Sequence, residues 1–231
     1  MSTRPRTLSR RLVLRTAATS LGAAALTAAT SGCSTTDRTD PTPIHDPTSR
    51  LSSQDADRKV LLAYFSRAGE NYYYGGRTDL AVGNTQVLAG MISALIGCDL
   101  HRIDAADPYP ADYMATVARN VREQNANARP ALAHPVPTID QYDTVLLASG
   151  IWNVRAPRIM TTFTESLDLT GRAIHPVTTH AMSGLGTTER DYARSCPGAV
   201  IGEGLAVRGE EVRQAGPDIE SWLRRTGLIH T

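Results

Sequence analysis

The chain has 231 residues with 24 Lys and Arg against 23 Asp and Glu, a formal charge of +1, so no bulk electrostatic pull toward nucleic acid or acidic lipid is expected. Hydrophobic residues make up 41 %, enough to build a buried core, which excludes global disorder. Three Cys are too few for a disulfide-dense scaffold, and the longest apolar run is too short and too rich in Ala for a permanent membrane span.

Residues 1–33 carry five Arg and no acidic residue, followed by an Ala-rich apolar stretch from Ala17 to Ala29. That order predicts an export signal. Within it, Ser9-Arg10-Arg11-Leu12-Val13-Leu14 resembles the twin-arginine signal, which is read by a pathway that moves folded proteins. Thr30-Ser31-Gly32 before Cys33 resembles a lipoprotein cleavage site, at which the Cys33 thiol is acylated, although Thr30 replaces the usual bulky aliphatic. Two fates follow and both stay open here: a lipid anchor through Cys33 at the extracytoplasmic face of the cell membrane, or plain secretion to the medium or periplasm. Residues 34–57 are rich in Ser, Thr, Asp and Pro without apolar periodicity and read as a solvated tether. The folded domain is expected over residues 58–231.

Within that domain, Lys59 to Tyr64 is a short apolar run suited to a strand buried on both faces. A long loop is expected to Gly83, and then Val87, Leu88, Met91, Ile92 and Leu95 recur at helical spacing until Gly97 stops the helix. Cys98 to Ile103 reads as a second strand and Asp112 to Ala128 as a helix marked by Tyr113, Val117 and Val121. Thr144 to Ala148 is a third strand, Arg158 to Leu167 a helix after Pro157, and Ala173 to Thr178 a fourth strand. A short helix from Thr188 to Arg194, a fifth strand region at Val200–Ile201 and Leu205–Val207, and a closing helix from Asp218 to Arg225 complete the chain. Alternation of this kind requires crossover connections, hence a parallel sheet with helices on both faces. Ligands of such sheets sit beyond the carboxyl ends of the strands, where the strand order reverses.

Three loops fall at those ends. The first carries Ser66 and Arg67 and, after an insertion at residues 68–82, reaches Asn84 and Thr85 at the mouth of the first helix. Hydroxyls and free amides at a helix N-terminus form a nest for an anion, and the absence of a Walker pattern points to a monophosphate rather than a nucleoside triphosphate. Asn84 or Thr85 acting merely as a helix cap is the plainer alternative. The second loop is Gly150-Ile151-Trp152-Asn153, where Trp152 suits either a stacking platform for a planar ring or a rim residue. The third holds Thr179, His180, Ser183 and Gly184, small and polar residues able to bring backbone amides near polar ring edges.

Taken together, Tyr64-Phe65-Ser66-Arg67, Asp107-Pro108-Tyr109-Pro110, Gly150-Ile151-Trp152, Leu167-Asp168-Leu169-Thr170-Gly171 and Thr179-His180 with Ser183-Gly184 resemble the flavodoxin family over nearly all of residues 58–231. The resemblance implies a doubly wound, five-stranded parallel sheet of order 2-1-3-4-5 and non-covalently bound FMN. By match of motif, Ser66, Arg67, Asn84 and Thr85 are expected at the phosphate, Gly150, Ile151, Trp152 and Asn153 beside the isoalloxazine, and Thr179, His180, Ser183 and Gly184 at the pyrimidine edge. The phosphate loop departs from the family pattern by the 68–82 insertion, which contains Tyr72-Tyr73-Tyr74 and serves as a lid or a partner surface. Asn153 stands where relatives often have a second aromatic.

The expected role is electron transfer outside the cytoplasmic membrane, with a redox protein or a small electron acceptor as partner, no nucleic acid, and membrane contact only through the lipid anchor. An FMN-dependent NAD(P)H quinone or nitro reductase and an exported binding module that has lost flavin are the alternatives. Ser183 lacks the flanking Gly residues of a nucleophile elbow, and His175 and His180 lack partners at metal-ligand spacing. Cys98 and Cys196 fall near opposite sheet edges and are expected as two free, buried thiols.

Overall fold

Val60–Tyr64 (β1) is apolar at every position and buried behind its first residue, the pattern of a strand covered on both faces. The structure, a computed structural model, describes residues 59–229; the expected export signal, Cys33 and the tether at 34–57 lie outside the described residues. β1 pairs in parallel with Asp99–Arg102 (β4) on one side and Thr144–Gly150 (β5) on the other, and β5 pairs with Ala173–His180 (β6). The last position beside β6 is shared by Val200–Ile201 (β7) and Leu205–Arg208 (β8), both parallel to it. This is the expected order 2-1-3-4-5 with its fifth strand split. Gly202 lies in the break, where a side-chain carbon would stand 2.4 Å from the His175 ring, so only glycine lets the chain pass that ring before β8 resumes.

Helices cover both faces. Asn84–Ile96 (α1) and Gly216–Arg225 (α5) bury Leu88, Ile92, Ile219, Trp222 and Leu223 against Leu62, Leu146, Val177 and Leu205. Arg158–Glu165 (α3) and Thr188–Ser195 (α4) bury Ile159, Met160, Phe163 and Tyr192 against Leu61, Val145, Leu147 and Ile174. Successive residues of β1 and β5 thus feed opposite cores, as strand geometry dictates. His175 is satisfied inside the structure. Its Nδ1 lies 2.9 Å from the Glu203 carbonyl and its ring stands edge-on to Trp222.

Two expectations from the sequence change. The loop after β1 is ordered as an antiparallel hairpin, Gly69–Tyr73 (β2) and Gly76–Leu80 (β3), separate from the main sheet. Its two-residue turn, Tyr74-Gly75, holds φ of 44° and 84°, the left-handed pair that suits a tight hairpin. The helix expected over 112–128 runs Tyr113–Asn125 (α2), with the Asp112 side chain capping it by accepting from Ala115 N at 2.6 Å. Its apolar residues do not enter either core. Thr116 and Asn120 are its buried positions, while Met114, Val117 and Val121 remain exposed.

Cys98 precedes the edge strand β4 and is half-buried rather than buried as expected, whereas Cys196 is buried at the other side of the sheet. Burial raises both thiols above the ordinary range, so little thiolate exists near neutrality. Iodoacetamide mapping of unreduced protein should find both free and slow at pH 7, Cys98 ahead of Cys196, with rates climbing as pH rises. A Cys98–Cys196 disulfide in that map would contradict the assignment.

Candidate functional site

A crevice of about 560 Å³ opens at the carboxyl ends of β1, β5 and β6, where the strand order reverses. Its volume falls in the range of small-molecule and cofactor sites, roughly 300–1,000 Å³.

One end is built by the first turn of α1. Gly83 occupies the cap position, and its carbonyl accepts from the amides of Gln86 and Val87. Ser66 Oγ accepts from Gln86 N at 3.1 Å, so the hydroxyl at the end of β1 is docked on the helix mouth. A side-chain carbon at position 83 would stand 2.4 Å from both Ser66 Oγ and the Arg67 carbonyl; only glycine lets the two segments meet. The amides of Asn84 and Thr85 come before the first intrahelical bond and are available at this mouth, together with the positive end of a 13-residue helix. Thr85 Oγ1 lies 2.7 Å from Thr179 Oγ1, which ties α1 to the end of β6. Neither Asn84 nor Thr85 is the cap residue, so the plainer alternative for this loop is not what the structure adopts.

The other end is aromatic and apolar. Trp152 follows β5 with its ring edge-on to Phe65 at 5.6 Å and to Tyr109 at 5.1 Å, and those two rings meet at 5.3 Å. The Tyr109 hydroxyl donates to Glu123 Oε2 at 2.7 Å, and the Arg119 guanidinium sits 3.9 Å over its ring. Burial first, and then this hydrogen bond to a carboxylate, hold the Tyr109 phenol far above its ordinary range. Gln124 of α2 donates to the Trp152 carbonyl at 3.0 Å and to Asn120 Oδ1 at 3.1 Å. The indole is therefore a fixed, half-buried wall rather than a swinging rim residue. Val117 and Val121 of α2 also line the crevice, with Tyr113 and Asn120.

Of the residues singled out from the sequence, Ser66, Arg67, Asn84, Thr85, Gly150, Ile151, Trp152, Asn153, Thr179, His180 and Ser183 all line this crevice. Gly184 does not. It sits behind the loop at φ 56°, its carbonyl accepting from Thr178 Oγ1 at 3.0 Å. Arg67 lines the wall, but its guanidinium donates to the carbonyls of Pro110, Ala111 and Glu70, so it braces the hairpin rather than offering a free cation. Sequence reasoning missed the α2 wall, Asn71 of the hairpin, and Gly209 and Glu210 of the short 3-10 turn Gly209–Gln214, while Tyr72, read from the sequence as part of a lid or partner surface, lines the crevice. For α2 the signal was present, since Val117 and Val121 mark one stripe; for Glu210 there was none.

Five buried side-chain polar atoms lack a hydrogen-bond partner among the described residues, and two of them belong to residues that line the crevice. His180 Nδ1 has no hydrogen-bond partner, and neither has Glu210 Oε2. Burial, and next the nearby Arg208, lower the His180 imidazole below its ordinary range. The loop after Trp152 also stores strain. Trp152 N donates to the Arg155 carbonyl at 2.8 Å, which closes a turn with Asn153 at φ 50° and Val154 at φ 64°. A β-branched residue in that region costs about 1–3 kcal/mol.

The chain was compared with known proteins. The sequence profile described as Flavodoxin matches residues 59–226. Solved structures of proposed flavoproteins from Bacteroides uniformis and Bacteroides eggerthii are 27 % and 29 % identical, each with a TM-score of 0.59. They cover 72 % and 73 % of this chain and 98 % of their own. A Lactobacillus acidophilus flavoprotein solved in complex with FMN is 16 % identical with a TM-score of 0.52, covers 68 % of this chain and 97 % of its own, and shares the fold. No curated protein shows significant sequence similarity to the chain.

Two measurements check this geometry. Val154→Gly should raise stability to urea by about 1 kcal/mol, because glycine adopts the turn without strain; a loss would contradict the strained turn. The His180 imidazole should titrate below its ordinary value by NMR. Because the folded state favours the neutral ring, that contribution is intact above the unfolded imidazole's pKa and is lost as pH falls from there through the lower folded value. His180→Asn should accordingly lose less stability than the parent between neutral and mildly acidic pH.

Proposed function

This chain belongs to the flavodoxin family, and from that premise we propose that it is an FMN-binding protein that carries electrons. The observation that carries the reading is one crevice with neutral anion donors at one end and a fixed indole at the other. Ser66, Thr85 and the amides of Asn84 and Thr85 match the chemistry of a monophosphate, which a helix mouth holds without a lysine. Trp152, buttressed by Phe65 and Tyr109, and the Val117–Val121 stripe of α2 match a planar, largely apolar ring. The stripe supplies an apolar wall that Asn153 does not. Thr179 and His180 offer polar contacts at the end of β6, and the unpartnered His180 Nδ1 fits a ligand with a hydrogen-bonding edge.

When bound, the flavin supplies the redox chemistry, and the protein sets its behaviour by stacking, hydrogen bonding and local charge. No side chain of the crevice is assigned as a catalytic acid or base. Lowered below its ordinary range, the imidazole of His180 is neutral at physiological pH and presents an uncharged polar edge. With the Arg67 guanidinium turned to backbone carbonyls, no free positive side chain lines the phosphate end among the described residues, so binding there relies on oriented amides. The form of residues 1–33 supports work outside the cytoplasmic membrane, with flavin loaded before transit as a folded protein. A redox protein or a small electron acceptor is the proposed partner.

Titration of purified full chain with FMN should quench flavin fluorescence to a 1:1 end point. Trp152→Ala should weaken binding about tenfold, the loss of roughly 1.4 kcal/mol of ring contact. Unquenched fluorescence in the parent would sink the proposal. Loaded protein that oxidises NAD(P)H unaided would replace the carrier with a reductase.

A further inference from the structure

The β2–β3 hairpin spans the crevice between two of its walls, and its two ends are fastened very differently. At the base, Glu70 N donates to the Ala111 carbonyl at 2.9 Å, and the Glu70 carboxylate accepts from Tyr113 N at 3.0 Å. Arg67 donates to three carbonyls there. Arg77, which pairs with Tyr72 one step from the turn, reaches back to the same α2 wall with its guanidinium 4.1 Å over the Tyr113 ring. Between base and tip, Asn71 and Tyr72 line the crevice.

At the tip, the hydrogen bond to the far wall among the described residues is from Tyr74 N to Glu210 Oε1, at 3.2 Å. Glu210 follows Gly209, which packs on the Asn84 side chain, so the tip closes over the α1 mouth. This closure is weakly held. Glu210 Oε2 is buried without a partner while the tip is down, and a dry, unpaired carboxylate oxygen offsets much of what one hydrogen bond contributes. Apolar burial adds little, because Tyr73 and Tyr74 are 46 % and 57 % exposed. Lifting the tip opens Oε2 to water while the Glu70 and Arg67 contacts of the base stay made, at the cost of the exposed Arg77–Tyr113 contact.

The geometry points to a gate: the hairpin pivots at its base, latches through Glu210, and admits or releases a ligand at the anion end of the crevice when its tip lifts. For the identity of that ligand the inference rests on the FMN reading above; the hinge and the latch do not.

The test is stopped-flow binding of FMN to the full chain in three forms: parent, Glu210→Ala and Glu210→Gln. Gln keeps an acceptor for Tyr74 N but removes the charge, and Ala removes both. A gate predicts that Glu210→Ala speeds association and dissociation together, about fivefold each, while Glu210→Gln keeps a parent-like dissociation rate. Equal acceleration of association in both variants with dissociation unchanged would assign Glu210 to simple charge repulsion and overturn the gate. Faster dissociation alone in Glu210→Ala would make the hairpin a ligand contact and also overturn it. Hydrogen exchange on the unliganded chain supplies a readout independent of flavin. The Tyr74 amide should exchange faster in Glu210→Ala than in Glu210→Gln, with the Glu70 and Tyr113 amides unchanged. Failure of FMN to bind the parent would end the flavin reading and leave the gate to be decided by that exchange; uniform loosening of base and tip would refute it.

Discussion

Between the end of β1 and the first turn of α1 the structure leaves no space for a single additional carbon at position 83, where one would stand 2.4 Å from Ser66 Oγ. That close approach docks the Ser66 hydroxyl on the helix mouth and leaves the amides of Asn84 and Thr85 at its opening. The Thr85–Thr179 hydroxyl contact then fixes α1 to the end of β6, two strands away from β1. The rest of the crevice is arranged around this corner. Because the positive character comes from oriented amides and a helix dipole, no cation has to be buried unpaired to hold an anion there.

The opposite end solves a different physical problem, that of keeping a large aromatic side chain still beside open space. Trp152 is held edge-on by two rings, and its carbonyl is held by Gln124 of α2. Tyr109 is in turn held by Glu123 and Arg119, both nearly buried at 11 % and 13 % side-chain exposure. An immobile indole loses little conformational entropy when a ring packs on it. α2 takes part in this support without joining either apolar core; its valines face the crevice and its buried positions are Thr116 and Asn120. The hairpin completes the enclosure, rooted at the α2 end and lightly tied at Glu210.

Much of this was readable in the residues themselves. Val60 to Tyr64 and Thr144 to Ala148 are largely apolar runs too short for helices, and with Ala173 to Thr178 each lies within the bounds of a parallel strand of the sheet. The split fifth strand was visible as Val200–Ile201 and Leu205–Val207 separated by Gly202-Glu203-Gly204, though the close approach of the His175 ring to Gly202 was not. The hairpin escaped notice because Gly-Glu-Asn-Tyr-Tyr and Gly-Arg-Thr-Asp-Leu show no alternation of apolar and polar residues. Periodicity identified α2 but could not say that its apolar stripe faces a crevice, since a cofactor wall and a core face carry the same spacing. Arg67 illustrates a further limit. Residue type suggested a phosphate ligand, and tertiary contacts turned its guanidinium to the carbonyls at the hairpin's base.

The central claim is that oriented amides at the α1 mouth recognise a phosphate group while the indole end recognises a ring. Comparing the affinities of the full chain for FMN and for riboflavin, which differ only in that phosphate, isolates the first half of the claim. The account predicts FMN at least about tenfold tighter, equivalent to one or two charge-assisted hydrogen bonds. Equal affinity for the two flavins would contradict it.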